Sequence, residues 1–152
     1  MIDINKLKQL REETGVSYAI CKKALEETNN NLEEARKILY KQGAERIDKK
    51  LGQKVNEGNI FTYLHHDKKT AVLLELLCQT DFVAKTQEFQ KLGSEIAMQV
   101  AFSNPKNINS LLKQEYIRQP GKKISDLISE NILKLGENIK VNKILRWQLG
   151  EK

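Results

Sequence analysis

The sequence has 152 residues, 39% hydrophobic and 30% charged, with a formal net charge of +6. This balance excludes a disordered chain, and no apolar run approaches the ~20 residues a membrane helix needs. The start, Met1-Ile2-Asp3-Ile4-Asn5-Lys6, lacks the basic-then-apolar layout of a secretory leader. The expectation is a soluble intracellular protein, built as one ordinary domain or as a small module joined to a larger one.

The first 43 residues read as three short helices. Ile4, Leu7 and Leu10 share a helical face that ends at Thr14-Gly15, where glycine can take the left-handed C′ conformation. Ser17 is placed to cap a second helix carrying Cys21, Ala24 and Leu25, which stops in the turn cluster Asn29-Asn30-Asn31. A third runs from Leu32 through Ala35, Ile38 and Leu39 to Gln42, with Gly43 past its end. Such a unit is similar to the ubiquitin-associated type of three-helix domain. Residues 44–57 are polar and lysine-rich, and read as a connector with little to bury.

From residue 58 to 152 the pattern changes to an α+β domain. Ile60–His66 and Ala71–Gln79 are apolar, β-prone runs around His66-Asp67-Lys68-Lys69, hence a hairpin. The nearly continuous run Val72–Cys78 implies a strand covered on both faces. A helix is expected from about Phe82 to Phe102, with Phe89, Leu92, Ile96 and Val100 as its stripe and a stop at Asn104-Pro105. Residues 106–122 look irregular, with one turn near Leu111-Leu112. A further helix begins near Ser125-Asp126 and ends at Gly136, turning Leu127, Ile128, Ile132 and Leu135 inward. The last strand alternates, with Ile139, Val141, Leu145, Trp147 and Leu149 on one face, Lys143 interrupting it, and Asn142, Arg146 and Gln148 on the other. The order ββααβ predicts a small antiparallel three-stranded sheet with helices packed on one face.

The positive charge is spread rather than clustered. Lys22-Lys23 is followed by Glu26-Glu27, Glu33-Glu34 by Arg36-Lys37, and the densest basic stretch, Arg46–Lys54, contains Asp48. That resembles solvated helix faces more than a phosphate-binding stripe, and it favours an acidic protein partner or a ribosomal neighbourhood.

Catalytic and cofactor chemistry leaves no motif. There is no P-loop, GxGxxG, GxSxG or HExxH. Cys21 and Cys78 lack metal-ligand spacing and read as buried apolar residues. His65 and His66 are adjacent, so on a strand they point to opposite faces and cannot share a metal. Glu75 stands inside an apolar strand, where bonding to a neighbouring chain explains it as well as catalysis does. By elimination the chain is not an enzyme, needs no cofactor or metal, and works by binding.

One segment points to a family. Cys78-Gln79-Thr80-Asp81-Phe82-Val83-Ala84-Lys85 resembles the Thr-Asp-Phe-Val-Ala signature of elongation factor Ts. Three further segments agree in order: Leu10-Arg11-Glu12-Glu13-Thr14-Gly15 with Cys21-Lys22-Lys23-Ala24-Leu25, Gly43-Ala44 before the lysine-rich connector, and Leu135-Gly136-Glu137-Asn138-Ile139. The resemblance implies a non-enzymatic partner of the GTPase elongation factor Tu that promotes GDP release, without direct nucleic-acid or membrane contact. It implies that Asp81 and Phe82 enter the GTPase domain and disturb its Mg²⁺ and phosphate sites, with Thr80 and Val83 as their support. Tyr18 and Ala19, at the start of the second helix, are the expected secondary contact. The location implied is the cytoplasm, or an organelle with bacterial-type ribosomes.

Phe82 also has a purely structural reading. It stands seven residues before Phe89, so a continuous helix would bury it, with Asp81 as N-cap. A first-turn residue can instead project beyond the core, and helical phase does not decide between the two. The chain also departs from the family pattern: Asn142 and Lys143 replace arginines, and Thr86 replaces a common aspartate. The short 104–125 connection leaves no room for the second core subdomain and helical hairpin of longer members. A homodimer through an exposed sheet could restore lost surface. The competing function is a basic RNA- or ribosome-binding adapter, which would need exposed aromatics beside lysines.

Overall fold

The computed structural model describes residues 1–49 and 55–151. Three helices come first: α1 (Ile4–Thr14), α2 (Tyr18–Glu27) and α3 (Leu32–Lys49). Asp3 caps α1 by accepting from the Asn5 and Lys6 amides, and Gly15 closes it in the left-handed region at φ 68°. Leu7 and Leu10 are buried against Cys21, Ala24, Leu25, Ala35 and Leu39, whereas Ile4 is exposed. Asn29 and Asn30 both take positive φ, and Asn30 bonds back to Met1, Asp3 and Lys6, which fixes the α2–α3 turn.

Helix α3 does not stop before Gly43. It continues to Lys49, and of the expected 44–57 connector, residues 50–54 lie outside the described residues. Glycine at 43 serves a close approach: a Cβ there would lie 2.6 Å from Ser129 Cβ and from the Ser129 carbonyl oxygen. The partner is a later helix, α7 (Ile124–Leu135), which also donates Leu133 to the core of the N-terminal unit.

The rest of the chain adds β1 (Glu57–Leu64), β2 (Thr70–Cys78), α4 (Asp81–Ala84), α5 (Gln87–Ser103), α6 (Ile108–Lys113) and, after α7, β3 (Lys140–Gln148). The strands form an antiparallel sheet in the order β1-β2-β3. Helix α5 packs on one face through Phe89, Leu92, Ile96 and Val100, and Gly93 lets it approach so closely that a Cβ there would lie 2.2 Å from the Phe61 ring. Phe61 and Phe89 rings sit 5.9 Å apart in a tilted pair. Leu111 of α6 and Ile124, Ile128 and Ile132 of α7 complete this core.

Three further expectations change. Strand β2 is covered on one face only: Val72, Leu74, Leu76 and Cys78 are buried, while Leu73 faces solvent. In β3, Glu75 pairs with Lys143 but Leu76 pairs with Val141, so Asn142 is the extra residue of a bulge. The bulge reverses the side-chain phase. Val141 faces the helices, but beyond it Ile144 and Arg146 do so, while Leu145 and Trp147 join the open face. Finally, His65 and His66 follow β1 in the turn, where strand alternation does not apply, and their rings lie 4.2 Å apart.

A buried ion pair sits where the helical unit meets the sheet domain. Both Glu130 carboxylate oxygens lie within 2.8 Å of Lys122 Nζ, and both side chains are almost fully buried. The Tyr40 phenol of α3 faces the same carboxylate, and its own titration is raised by burial and then by Glu130. Burial pushes the Glu130 carboxyl up to about 7, with Lys122 holding it down in part. Lys122→Met strands a buried carboxylate, which costs about 3–5 kcal/mol of stability when it is ionised. Protonation relieves that cost, so the deficit should shrink below the ordinary carboxylate value and grow as pH rises through the folded value. Chemical denaturation of both proteins at pH 5 and pH 8 checks this; a pH-independent deficit would contradict it.

Candidate functional site

The connection between β2 and α5 is the least expected part of the fold. Instead of one helix from Phe82, the chain makes the four-residue α4, breaks at Lys85-Thr86, and restarts as α5. Two threonines set the break. The Thr80 hydroxyl accepts from Val83 N at 3.2 Å and caps α4, and the Thr86 hydroxyl accepts from Phe89 N at 3.2 Å and caps α5.

The break separates Phe82 from the helical phase of Phe89. Val83 and Ala84 point into the core, whereas Asp81 is exposed and the Phe82 side chain stands 81% exposed. The structural reading of Phe82 as a core residue is therefore overturned. Among the described residues, Asp81 makes an exposed side-chain contact with Lys85, at 3.6 Å, which contributes little in water.

The turn that carries these residues is held at both ends. At its C-terminal end, the side-chain amides of Asn59 and Gln90 both donate to the Ala84 carbonyl at 2.8 Å. At its N-terminal end, the Glu137 carboxylate accepts from Gln79 N at 3.2 Å, from Thr80 N at 3.0 Å and from the Thr80 hydroxyl at 2.7 Å. Asn138 N in turn donates to Gln79 Oε1 at 2.7 Å. The Cys78 thiol donates to the Thr80 carbonyl, and its titration is pushed up to about 11, first by burial and then by the Glu137 charge. It is therefore an un-ionised buried thiol rather than a reactive one.

Thr80, Asp81, Phe82 and Val83 are thus brought together on one turn, two as support and two presented outward. Tyr18 and Ala19 lie elsewhere, at the exposed start of α2, which packs on α1 and α3. Ser17 holds the N-cap position there without a side-chain cap bond. Asn59 and Gln90 had no role in the sequence reading, and Glu137 entered it only as part of the Leu135–Ile139 family segment. Their spacing carries no signal, because each reaches the turn only through the tertiary fold.

A family model for elongation factor Ts matches residues 79–152, the stretch that begins at this turn. Along its whole length the chain is 36% identical to elongation factor Ts of Coprothermobacter proteolyticus, with 99% of each chain covered. The chain belongs to the elongation factor Ts family. Elongation factor Ts of Thermoanaerobacter sp. is 37% identical, with 99% of this chain and 96% of the relative covered. That of Thermotoga sp. is 37% identical, with 99% and 97% covered. The alignment with the first of these runs over 195 positions, more than the 152 residues of this chain, so that relative carries residues this one skips.

Exposure of Phe82 has a direct consequence for stability. Phe82→Ala should leave the thermal midpoint nearly unchanged, within about 0.5 kcal/mol, because little buried surface is lost. Phe89→Ala, from the fully buried ring beneath Phe61, should cost about 3–5 kcal/mol. Parallel thermal melts compare the two, and a large loss in Phe82→Ala would put that ring back in the core.

Proposed function

We propose that this chain is the nucleotide-exchange partner of elongation factor Tu, and that Asp81 and Phe82 are the residues that act on it. The observation that carries the reading is an exposed phenylalanine beside an exposed carboxylate, on a turn anchored at both ends, in a member of the elongation factor Ts family. Leaving a phenylalanine side chain in water forgoes about 1.5–3 kcal/mol of burial, which a partner can recover. Because the turn is already ordered, docking immobilises little more of it.

The mechanism needs no covalent step. Bound GDP–Mg²⁺ depends on backbone N–H groups around the phosphates and on a metal that neutralises their charge. An aromatic wedge can hold the GTPase where those ligands no longer converge, and the Asp81 carboxylate can compete for groups that support the metal. Linkage sets the cycle. If the factor binds nucleotide-free Tu more tightly than Tu–GDP, GDP weakens the factor's binding by the same ratio, and incoming GTP releases it. Tyr18 and Ala19 would add a second contact on the GTPase domain. The place of action is the cytoplasm.

A second partner suits the open sheet face. Ile60, Leu64, Leu73, Leu145 and Trp147 all face away from the helices and remain exposed, with Glu75 and Lys143 opposite each other among them. We propose that a second copy of the chain covers it: about a twofold axis each Glu75 can meet the other subunit's Lys143, so the face is self-complementary. Trp147 also lies beside Lys68 and Lys69, the combination an RNA-binding adapter would use. Its continuity with the apolar face favours protein over nucleic acid.

Release of fluorescent GDP from purified elongation factor Tu tests the first reading. The chain should accelerate release catalytically, and Asp81→Ala/Phe82→Ala, folded by circular dichroism, should lose at least about tenfold in kcat/KM. Acceleration that survives the double substitution would remove these residues from the site. Light scattering tests the second, where a dimer mass should revert to monomer on Leu145→Glu. A monomeric wild-type mass at the concentration of the exchange assay would rule the dimer out.

A further inference from the structure

Glu137 lies in the turn between α7 and β3, 57 residues along the chain from Thr80, yet its carboxylate is the hub of the bonds that hold the start of α4. Three donors converge on it: two successive backbone amides and one hydroxyl. The hydroxyl bond carries most of the argument. Thr80 has a single hydroxyl proton, and it points to Glu137 Oε2 at 2.7 Å, which turns the oxygen's lone pairs toward Val83 N. Glu137 therefore sets the polarity of the cap on α4. A helix of four residues has too few internal bonds to hold its own direction, so that direction depends on what grips its ends.

The two grips differ in what they control. Val83 and Ala84 in the core, with Asn59 and Gln90 on the Ala84 carbonyl, fix where the turn sits. Asp81 and Phe82 lie before those anchors, directly after the residues that Glu137 binds. Without the carboxylate, residues 79–82 can fray while the core beneath stays packed.

We propose that Glu137 is the positioning residue of the exchange site, holding the backbone at Gln79-Thr80 so that Phe82 and Asp81 leave α4 in the direction the partner requires. This rests on the exchange function proposed above. Glu137 need not touch the GTPase. It acts through the placement of Phe82, and that makes its effect separable from a general loss of stability.

A double-mutant cycle on the affinity for nucleotide-free elongation factor Tu reads this directly, using the full chain as wild type, Glu137→Ala, Phe82→Ala and both together. Hydrogen bonds to a charged acceptor are strong enough that Glu137→Ala should weaken binding about tenfold in the wild-type background. In the Phe82→Ala background it should weaken binding about twofold or less, because there is no wedge left to misplace. Hydrogen exchange at the Gln79 and Thr80 amides should accelerate in Glu137→Ala while the β2 amides of Val72–Leu76 stay protected. Glu137→Gln keeps an acceptor for the backbone amides and should lose only about threefold; it replaces the alanine variant in the cycle if that one fails to fold. An equal loss in both backgrounds, or none in either, would overturn the proposal. A wild-type chain that neither binds Tu nor accelerates GDP release would overturn the exchange function as well, and shows itself before any substitution is made.

Discussion

The close approach of α5 to the sheet is the constraint on which the rest of the molecule depends. Gly93 sits under the Phe61 ring, and Phe89 packs against that ring from the same helix. With Phe89, Leu92, Ile96 and Val100 in one stripe over β1 and β2, α5 starts at Gln87 behind its Thr86 cap. The chain leaving β2 at Cys78 then has only residues 79–86 in which to reach that start. It uses them in a separate capped turn, and the exposed Asp81-Phe82 pair is the outcome.

The same packing explains how two units form one body. Helix α7 packs both ways, sending Ile128 and Ile132 into the core beneath the sheet and Leu133 into the core of the N-terminal helices. Gly43 lets α3 lie close against Ser129, and the Lys122–Glu130 pair with Tyr40 fills the polar part of that junction. A buried ion pair adds little net stability over apolar packing, but it penalises any other seating of the two units. A fixed relation between them matters for a protein proposed to reach one partner with both α4 and the start of α2.

Charge and apolar surface are distributed in different ways. The excess of lysine and arginine is scattered over helix faces, often next to acids, as in the Arg36–Glu13 and Arg118–Glu95 pairs. Part of the exposed apolar surface is instead gathered on the open face of the sheet, where Leu73, Leu145 and Trp147 lie together. An exposed, contiguous apolar face on a sheet is the feature that most needs a partner in a chain otherwise well solvated.

Local signals decided much of this protein. Helical spacing in α1 and α2, the stops at Gly15, Asn29–Asn31, Asn104 and Gly136, the hairpin around Asp67 and the α+β order were legible, because capping, turn chemistry and periodicity act over a few residues, whereas the stop expected at Gly43 was not borne out. The Thr80–Lys85 segment and its neighbours were legible as a family resemblance. What the sequence could not decide was set by contacts between distant residues. Whether Phe82 faced the core depended on a helix break at Lys85-Thr86, held by the Thr80 and Thr86 caps and by the grips of Asn59, Gln90 and Glu137 from elsewhere in the chain. Which face Leu145 and Trp147 occupied depended on a bulge at Asn142, since one extra residue reverses every side chain beyond it. How far α3 ran depended on α7 lying alongside Gly43, and the grip of Glu137 on Thr80 joins residues that no local pattern relates. Periodicity records which residues are apolar, but only the assembled fold determines which surfaces meet.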